Sequence, residues 1–140
     1  NPGWDSGPNQ ITATAVALTN GFDGGRLGQA YLFNNTSAYF QATGLVLLGQ
    51  AYSPYSFSLW IRPIISVTSG TILHVSADTS GTGWCLPMIG LTALGQIAAI
   101  GWNGAAAMQA TGPVMTIGRW AHIAVTYSLA NGLRLYVNGA

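Results

Sequence analysis

The run Ser56-Phe57-Ser58-Leu59-Trp60-Ile61-Arg62 alternates its two faces residue by residue, and this period of two constrains the fold more than any other feature of the chain. Phe57, Leu59 and Ile61 point one way and Ser58, Trp60 and Arg62 the other, as in a strand half-buried in a sheet. Pro63 closes the run. Further runs of strand length recur at residues 71–76, 84–91, 96–102, 121–128 and 133–138, with glycine-containing turns between nearly all of them. That rhythm predicts an antiparallel all-β fold. Between the last two runs lies Leu129-Ala130-Asn131-Gly132, which predicts a tight hairpin, because Asn-Gly suits the positive-φ positions of a turn whose twist matches its strands.

The first part of the chain is less regular. Residues 1–20 read as a linker or leading strand, with one alternating run at residues 11–16, and residues 21–140 as the domain proper. Asn20-Gly21-Phe22-Asp23-Gly24-Gly25 is dense in residues that tolerate positive φ, so a turn is expected there. Short runs at residues 30–33 and 38–42 flank Asn34-Asn35-Thr36-Ser37, a spacing that predicts a hairpin. The most helix-like segment, Ala105-Ala106-Ala107-Met108, is too short for a helix and is expected to be a turn or bulged strand. No repeat of solenoid or propeller period is present.

Charge narrows the partners. The 140 residues contain four Arg, three Asp, no Lys and no Glu, so 5% are charged where about 25% is typical of soluble domains. Loss of the strong helix formers Glu and Lys, with 19 Gly present, again favours strands and turns. A net charge of +1 offers no basic stripe for phosphates and no polybasic patch for lipid, so neither nucleic acid nor direct membrane insertion is expected. Residues 79–118 carry no charge, yet Pro87, Gly90, Gly95, Gln96, Gly101 and Asn103 divide them into pieces of strand length rather than one membrane-spanning helix. The chain opens on Asn1-Pro2-Gly3-Trp4 without a signal-peptide pattern and is expected to be a piece of a longer protein. Its single Cys85 is expected to be a buried small apolar residue, the alternative being a disulfide to a cysteine elsewhere.

Four segments stand in a recognisable order: Gly25-Arg26-Leu27-Gly28-Gln29-Ala30-Tyr31-Leu32-Phe33, Tyr55-Ser56-Phe57-Ser58-Leu59-Trp60-Ile61-Arg62-Pro63, Gly118-Arg119-Trp120-Ala121-His122-Ile123-Ala124-Val125-Thr126-Tyr127, and Leu133-Arg134-Leu135-Tyr136-Val137-Asn138-Gly139. Together they resemble the laminin-G-like jelly-roll domains of the concanavalin A-like lectin and glucanase superfamily, the last two in tandem being the specific part. The resemblance implies a two-sheet antiparallel β-sandwich and a role in extracellular recognition of carbohydrate or protein. It also implies further strands after the match to Val137-Asn138-Gly139, so the domain is expected to be incomplete at its C-terminal end, with an exposed strand edge.

Because the superfamily includes glucanases, hydrolysis has to be weighed against the residues. Retaining hydrolysis needs two carboxyls about 5 Å apart. With Glu absent, only Asp5, Asp23 and Asp78 remain, in three separate Gly- or Ser-rich segments. No Gly-x-Ser-x-Gly elbow accompanies His74 or His122, and two His without spaced Cys or carboxylates make no zinc signature. Both histidines are expected to be structural, no catalytic residue is assigned, and no enzymatic activity is expected.

Calcium at the sandwich rim is the one cofactor the resemblance brings forward, with Asp23 and Asp78 as weak candidates, although an Asx turn is the expected role of each. For a sugar, aromatic rings and amides are needed. Trp84, Trp102 and Asn103 lie at strand ends or turns and are weak candidates, with core packing the expected fate of each Trp. Trp60 and Trp120 are assigned to the scaffold. Asn34 and Asn35 head two overlapping glycosylation acceptors in a surface loop.

These observations lead to a non-catalytic extracellular or cell-surface module whose partner is a glycan or an extracellular protein. The alternative is a self-associating structural component of a filament or matrix. A glycoside hydrolase relative is the third reading.

Overall fold

The computed structural model describes residues 5–48, 50–65 and 68–140, and the side chains of residues 19–23 lie outside that description. Among the described residues there is no helix, and eleven strands follow one another in antiparallel pairings. No helix long and apolar enough to cross a membrane occurs among the described residues. The chain divides into two compact units, one ending at Leu45 and one comprising Val46–Ala140.

The first unit holds four short strands: β1 (Ala13–Val16), β2 (Thr19–Asp23), β3 (Gln29–Leu32) and β4 (Tyr39–Ala42). β1 pairs with β4 and β2 with β3. The expected hairpin between residues 30–33 and 38–42 is therefore wrong: both strands exist, but each pairs with an earlier one. The turn expected at residues 20–25 is also corrected, since β2 continues through Asp23. A register shift between Thr19 and Phe22 takes up Asn20 and Gly21, as a bulge does when one strand carries surplus residues. The true turn is shorter, closed by the Gly25 N–H donating to the Gly28 carbonyl at 3.0 Å.

The second unit is a sandwich of two sheets. One contains β5 (Tyr55–Ile61), β10 (Ala121–Ser128) and β11 (Gly132–Val137) in the order β11-β10-β5. The other is a meander of β6 (Gly70–Ser76), β7 (Cys85–Leu91), β8 (Gln96–Trp102) and β9 (Ala107–Val114). Ile89, Ile97 and Ala99 of the meander meet Ala121, Ile123 and Val125 of the other sheet, and Phe57, Leu59 and Ile61 pack around them. Phe57, Leu59 and Ile61 are the three positions that the alternation of residues 56–62 set on one face of the strand. The expected all-β, two-sheet antiparallel fold is borne out.

β9 is the strand that sequence reading reduced to a turn or bulge near residues 105–108. Gly112 and Pro113 look like breakers, but each has a place here. β9 is a terminal strand of its sheet, where proline is tolerated. A Cβ on Gly112 would stand 2.9 Å from Ile97 Cγ2 and 3.2 Å from Leu135 Cδ2, so glycine is what lets the two sheets close together at that point. The β10–β11 hairpin is also modified in detail. Ser128 pairs with Gly132, the loop is Leu129, Ala130 and Asn131, and Gly132 alone takes positive φ, at 68°.

Candidate functional site

Antiparallel strands return their connections to two ends, and the ends of this sandwich differ. Gly101, near the end of β8, lies 3.1 Å from the Tyr55 hydroxyl and 3.2 Å from Leu133, measured from the Cβ it lacks. The starts of β5 and β11 therefore sit against the end of β8. The β6–β7, β8–β9 and β10–β11 loops all emerge at this one end.

Two of these loops carry the aromatic residues singled out from the sequence. Trp84 precedes β7 and Trp102 ends β8, and their rings meet edge to face, with centroids 6.5 Å apart and planes at 73°. Trp84 is 43% exposed, so the expectation of core packing fails for it; Trp102 is half-buried. The Trp84 backbone is held by the Ala77 N–H, which donates to its carbonyl at 2.8 Å. Asn103 shapes the next loop: its Oδ1 accepts from the Ala105 and Ala106 N–H groups at 2.9 and 2.8 Å. An amide whose oxygen is occupied in this way keeps its Nδ2 donors for another partner. Tyr52, which sequence reading passed over, brings its ring against Gly104, where an added Cβ would come within 2.6 Å of its hydroxyl. Tyr52, Trp102 and Asn103 are thus gathered about one loop, with Trp84 against Trp102.

Asp78 stands in the β6–β7 loop at the same end. Its carboxylate accepts from the Thr82 hydroxyl at 3.4 Å, four residues on, rather than closing the Asx turn that was expected. The Asp78 carbonyl accepts from the Ser76 hydroxyl and the Gly81 N–H, and the Thr82 carbonyl from the Asp78 N–H, so these loop oxygens face the loop's own donors. One carboxylate with occupied carbonyls falls short of the six to eight oxygens that calcium takes. Among the described residues no three His, Cys, Asp or Glu side chains come together. Asp23 lies in β2 of the other unit, with its side chain outside the described set.

Beside the hairpin of β10 and β11 an open cleft of about 470 Å³ is lined by Pro54, Tyr55, Ser56, Thr126, Tyr127, Ser128, Asn131 and Arg134. Ser56, Thr126 and Arg134 are register partners across three strands, which makes one polar row on the sheet's outer face. The Ser128 hydroxyl accepts from the Asn131 N–H at 3.1 Å, and the Arg134 guanidinium donates to Asn131 Oδ1 at 3.3 Å, so the hairpin fixes its own polar groups. Behind the row, Tyr55 and Tyr127 tilt against each other at 5.4 Å, with both hydroxyls buried and without a hydrogen bond among the described residues. Burial, with the Tyr127 phenol adding to it, pushes the Tyr55 phenol above its ordinary value. The alternation of β5 and β10 was legible in the sequence and marks Ser56 and Thr126 as outward-facing; that signal would have found this row.

The remaining candidates fall elsewhere. His122 packs its ring against Trp60 at 5.1 Å, a structural contact, whereas Trp60 itself is 45% exposed on the outer face and is no core residue. Trp120 is half-buried, with the Arg62 guanidinium 5.3 Å from its ring centroid. Cys85 is exposed, contrary to expectation, because it opens β7 at the sandwich end. Asn34 and Asn35 are exposed in the loop between β3 and β4, where Asn35 Oδ1 accepts from the Ser37 N–H at 2.8 Å. Asp5, in the first unit, accepts from the Gly7 and Ile11 N–H groups; the Ile11 and Gly7 bonds, in that order, hold its carboxyl below the ordinary carboxylate value.

Comparison with known families decides the lineage of this architecture. A family model of the third laminin G type, described as the concanavalin A-like lectin/glucanases superfamily, matches residues 34–140. The chain belongs to this superfamily. The match spans the whole sandwich of β5 to β11 and reaches back over β4, so the resemblance carried by the Gly118–Tyr127 and Leu133–Gly139 segments is confirmed on independent grounds. Searches of curated proteins and of solved structures gave no match. Membership of the superfamily supports a module that binds carbohydrate or protein in general.

Proposed function

We propose that the chain is a non-catalytic recognition module of an extracellular or cell-surface protein, and that it binds a saccharide at the end of the sandwich bearing Trp84, Trp102 and Asn103. One observation carries this reading. Trp84 leaves nearly half its surface open while its ring is braced edge to face by Trp102. A large aromatic that contributes to no core is costly to leave in water, and a braced ring offers the flat apolar platform on which the C–H face of a sugar packs. Asn103, next to Trp102 in the chain, and Tyr52, whose hydroxyl lies against Gly104, supply the polar groups that fix orientation. Laminin G-like domains typically bind rather than catalyse and usually belong to extracellular proteins, which supports the same assignment.

Hydrolysis finds little support in the residues. Within residues 46–140 Asp78 is the sole carboxylate side chain, so the second carboxyl of a two-acid mechanism has no residue in that unit to supply it. Calcium is likewise not part of the proposal, since the Asp78 loop turns its oxygens inward.

The test is a glycan array followed by titration of the best ligand. Trp84→Ala should weaken binding about tenfold or more, near 1.4 kcal/mol, by removing the platform. Trp60→Ala, an exposed Trp on the other sheet, should leave affinity unchanged, and a chelator should have no effect. Full affinity in the Trp84 variant would refute the site, and turnover of the ligand would refute the non-catalytic assignment.

A further inference from the structure

The opposite end of the second unit has another character. Three connections meet there: the segment after β5, the β7–β8 turn and the β9–β10 loop. They are tied to one another by backbone hydrogen bonds, from Gly118 N–H to the Pro63 carbonyl at 2.7 Å, Met115 N–H to the Gly95 carbonyl at 3.0 Å, and Ser69 N–H to the Thr92 carbonyl at 3.0 Å. From this braced tip project Ile64, Ile65, Leu94, Val114 and Ile117, each between 47% and 75% exposed. Single exposed aliphatics are ordinary; five at one end of a small sandwich call for a partner.

Charge selects that partner. Two of the three arginines in residues 46–140 flank the tip, Arg62 immediately before Pro63 and Arg119 immediately after Gly118. The sole acidic side chain of the unit, Asp78, is in a loop at the other end. Behind the arginines stand two tryptophans, Trp120 beneath Arg62 and Trp60 beside His122. Along the chain the order toward the tip is indole, guanidinium, aliphatic: Trp60, Arg62 and Ile64 on one side, and Trp120, Arg119 and Ile117 on the other. A lipid interface presents the complementary order: tryptophan favours the headgroup level, arginine meets phosphates and carboxylates, and aliphatic side chains enter the acyl region. Two copies meeting tip to tip would instead bring Arg62 and Arg119 of each against those of the other. Net charge alone argued against a membrane, but it is an average over the chain and does not register two cations set around one apolar end.

We propose that this end is a membrane-docking tip, which places Ile64, Ile65, Leu94, Val114 and Ile117 among the acyl chains of an anionic lipid surface with Arg62 and Arg119 at its headgroups. The inference is independent of the saccharide site, which lies at the far end. Contact is peripheral: loops dip into the interface and no strand spans the bilayer.

The test uses the whole chain with Cys85→Ser as background, and an environment-sensitive fluorophore attached through Leu94→Cys or, at the far end, Ser80→Cys. Vesicles of equimolar phosphatidylcholine and phosphatidylserine should blue-shift the label at position 94 and leave that at position 80 unchanged. Leu94→Asp with Ile65→Asp should abolish co-sedimentation with these vesicles, and Arg119→Gln should weaken it about fivefold. Far-UV circular dichroism establishes that each variant is folded, which exposed loop positions permit. Absence of binding to the anionic vesicles, equal shifts at both positions, or dimerisation through the tip without vesicle binding would each overturn the proposal.

Discussion

Replacing Ile123 by alanine probes the contact between the two sheets directly. Ile123 is fully buried on β10, the middle strand of its sheet, with Leu59 and Val137 as register partners on either side. Across the interface its cluster includes Ile89, Ile97 and Ala99. Truncation to alanine removes three carbons, which at about 0.8 kcal/mol per buried methylene costs roughly 2.5 kcal/mol in transfer alone. A residue hydrogen-bonded through strands on both sides cannot sink into the void it leaves, so the cavity adds to this and brings the loss to about 3–5 kcal/mol. Urea denaturation followed by tryptophan fluorescence reads the difference. Ile72→Ala is the internal control: Ile72 is 38% exposed on β6, and its truncation should cost about 1 kcal/mol. Equal losses for the two variants, or less than about 1 kcal/mol for Ile123→Ala, would show that the sheets do not pack as described.

Gly112→Ala should destabilise by about 1–3 kcal/mol in the same assay, since the new methyl would stand 2.9 Å from Ile97 Cγ2 between the sheets; a neutral result would mean the layers are further apart. Tyr55 sets a pH dependence. Its phenol titrates above the ordinary value of 10.0 because burial, then Tyr127, disfavours the phenolate, so the folded state holds a proton that the unfolded chain releases. The contribution is fully present below about 10 and lost as pH rises through the raised value. Denaturation midpoints should fall over that alkaline range, and less steeply in Tyr55→Phe; identical slopes would refute the assignment.

What the sequence disclosed follows from which signals are local. β5 and β10 were legible because alternation is a property of the strand itself, and β8 because a short apolar run lies between glycine-containing turns; β8 and β10 begin and end where the sequence places them. Pairing in the first unit was not legible, because neighbouring runs with a turn-like spacer look like a hairpin whether or not they bond, and here β4 joins β1. β9 was hidden by Gly112 and Pro113, whose permission comes from a terminal strand position and from Ile97 on the adjacent strand, neither visible in the run itself. At the candidate site, the placement of Trp84, Trp102 and Asn103 at strand ends was readable. Their exposure was not, since a tryptophan at a strand end can turn inward or outward at the same local cost. Cys85 misled for a related reason: its residue type favours burial on average, but its position at the first residue of β7 overrides this.

The joining of both ends by the same strands has a mechanical consequence. β7 and β8 are each seven residues long, and at about 3.3 Å per residue they hold whatever occupies one end roughly 20–25 Å from whatever occupies the other. Hydrogen-bonded strands shorten and stretch very little, so this standoff is a property of the fold rather than of any linker. A partner that immobilises one end therefore fixes the height and tilt at which the other is displayed, and the module works as a short stiff spacer as well as a surface for contact.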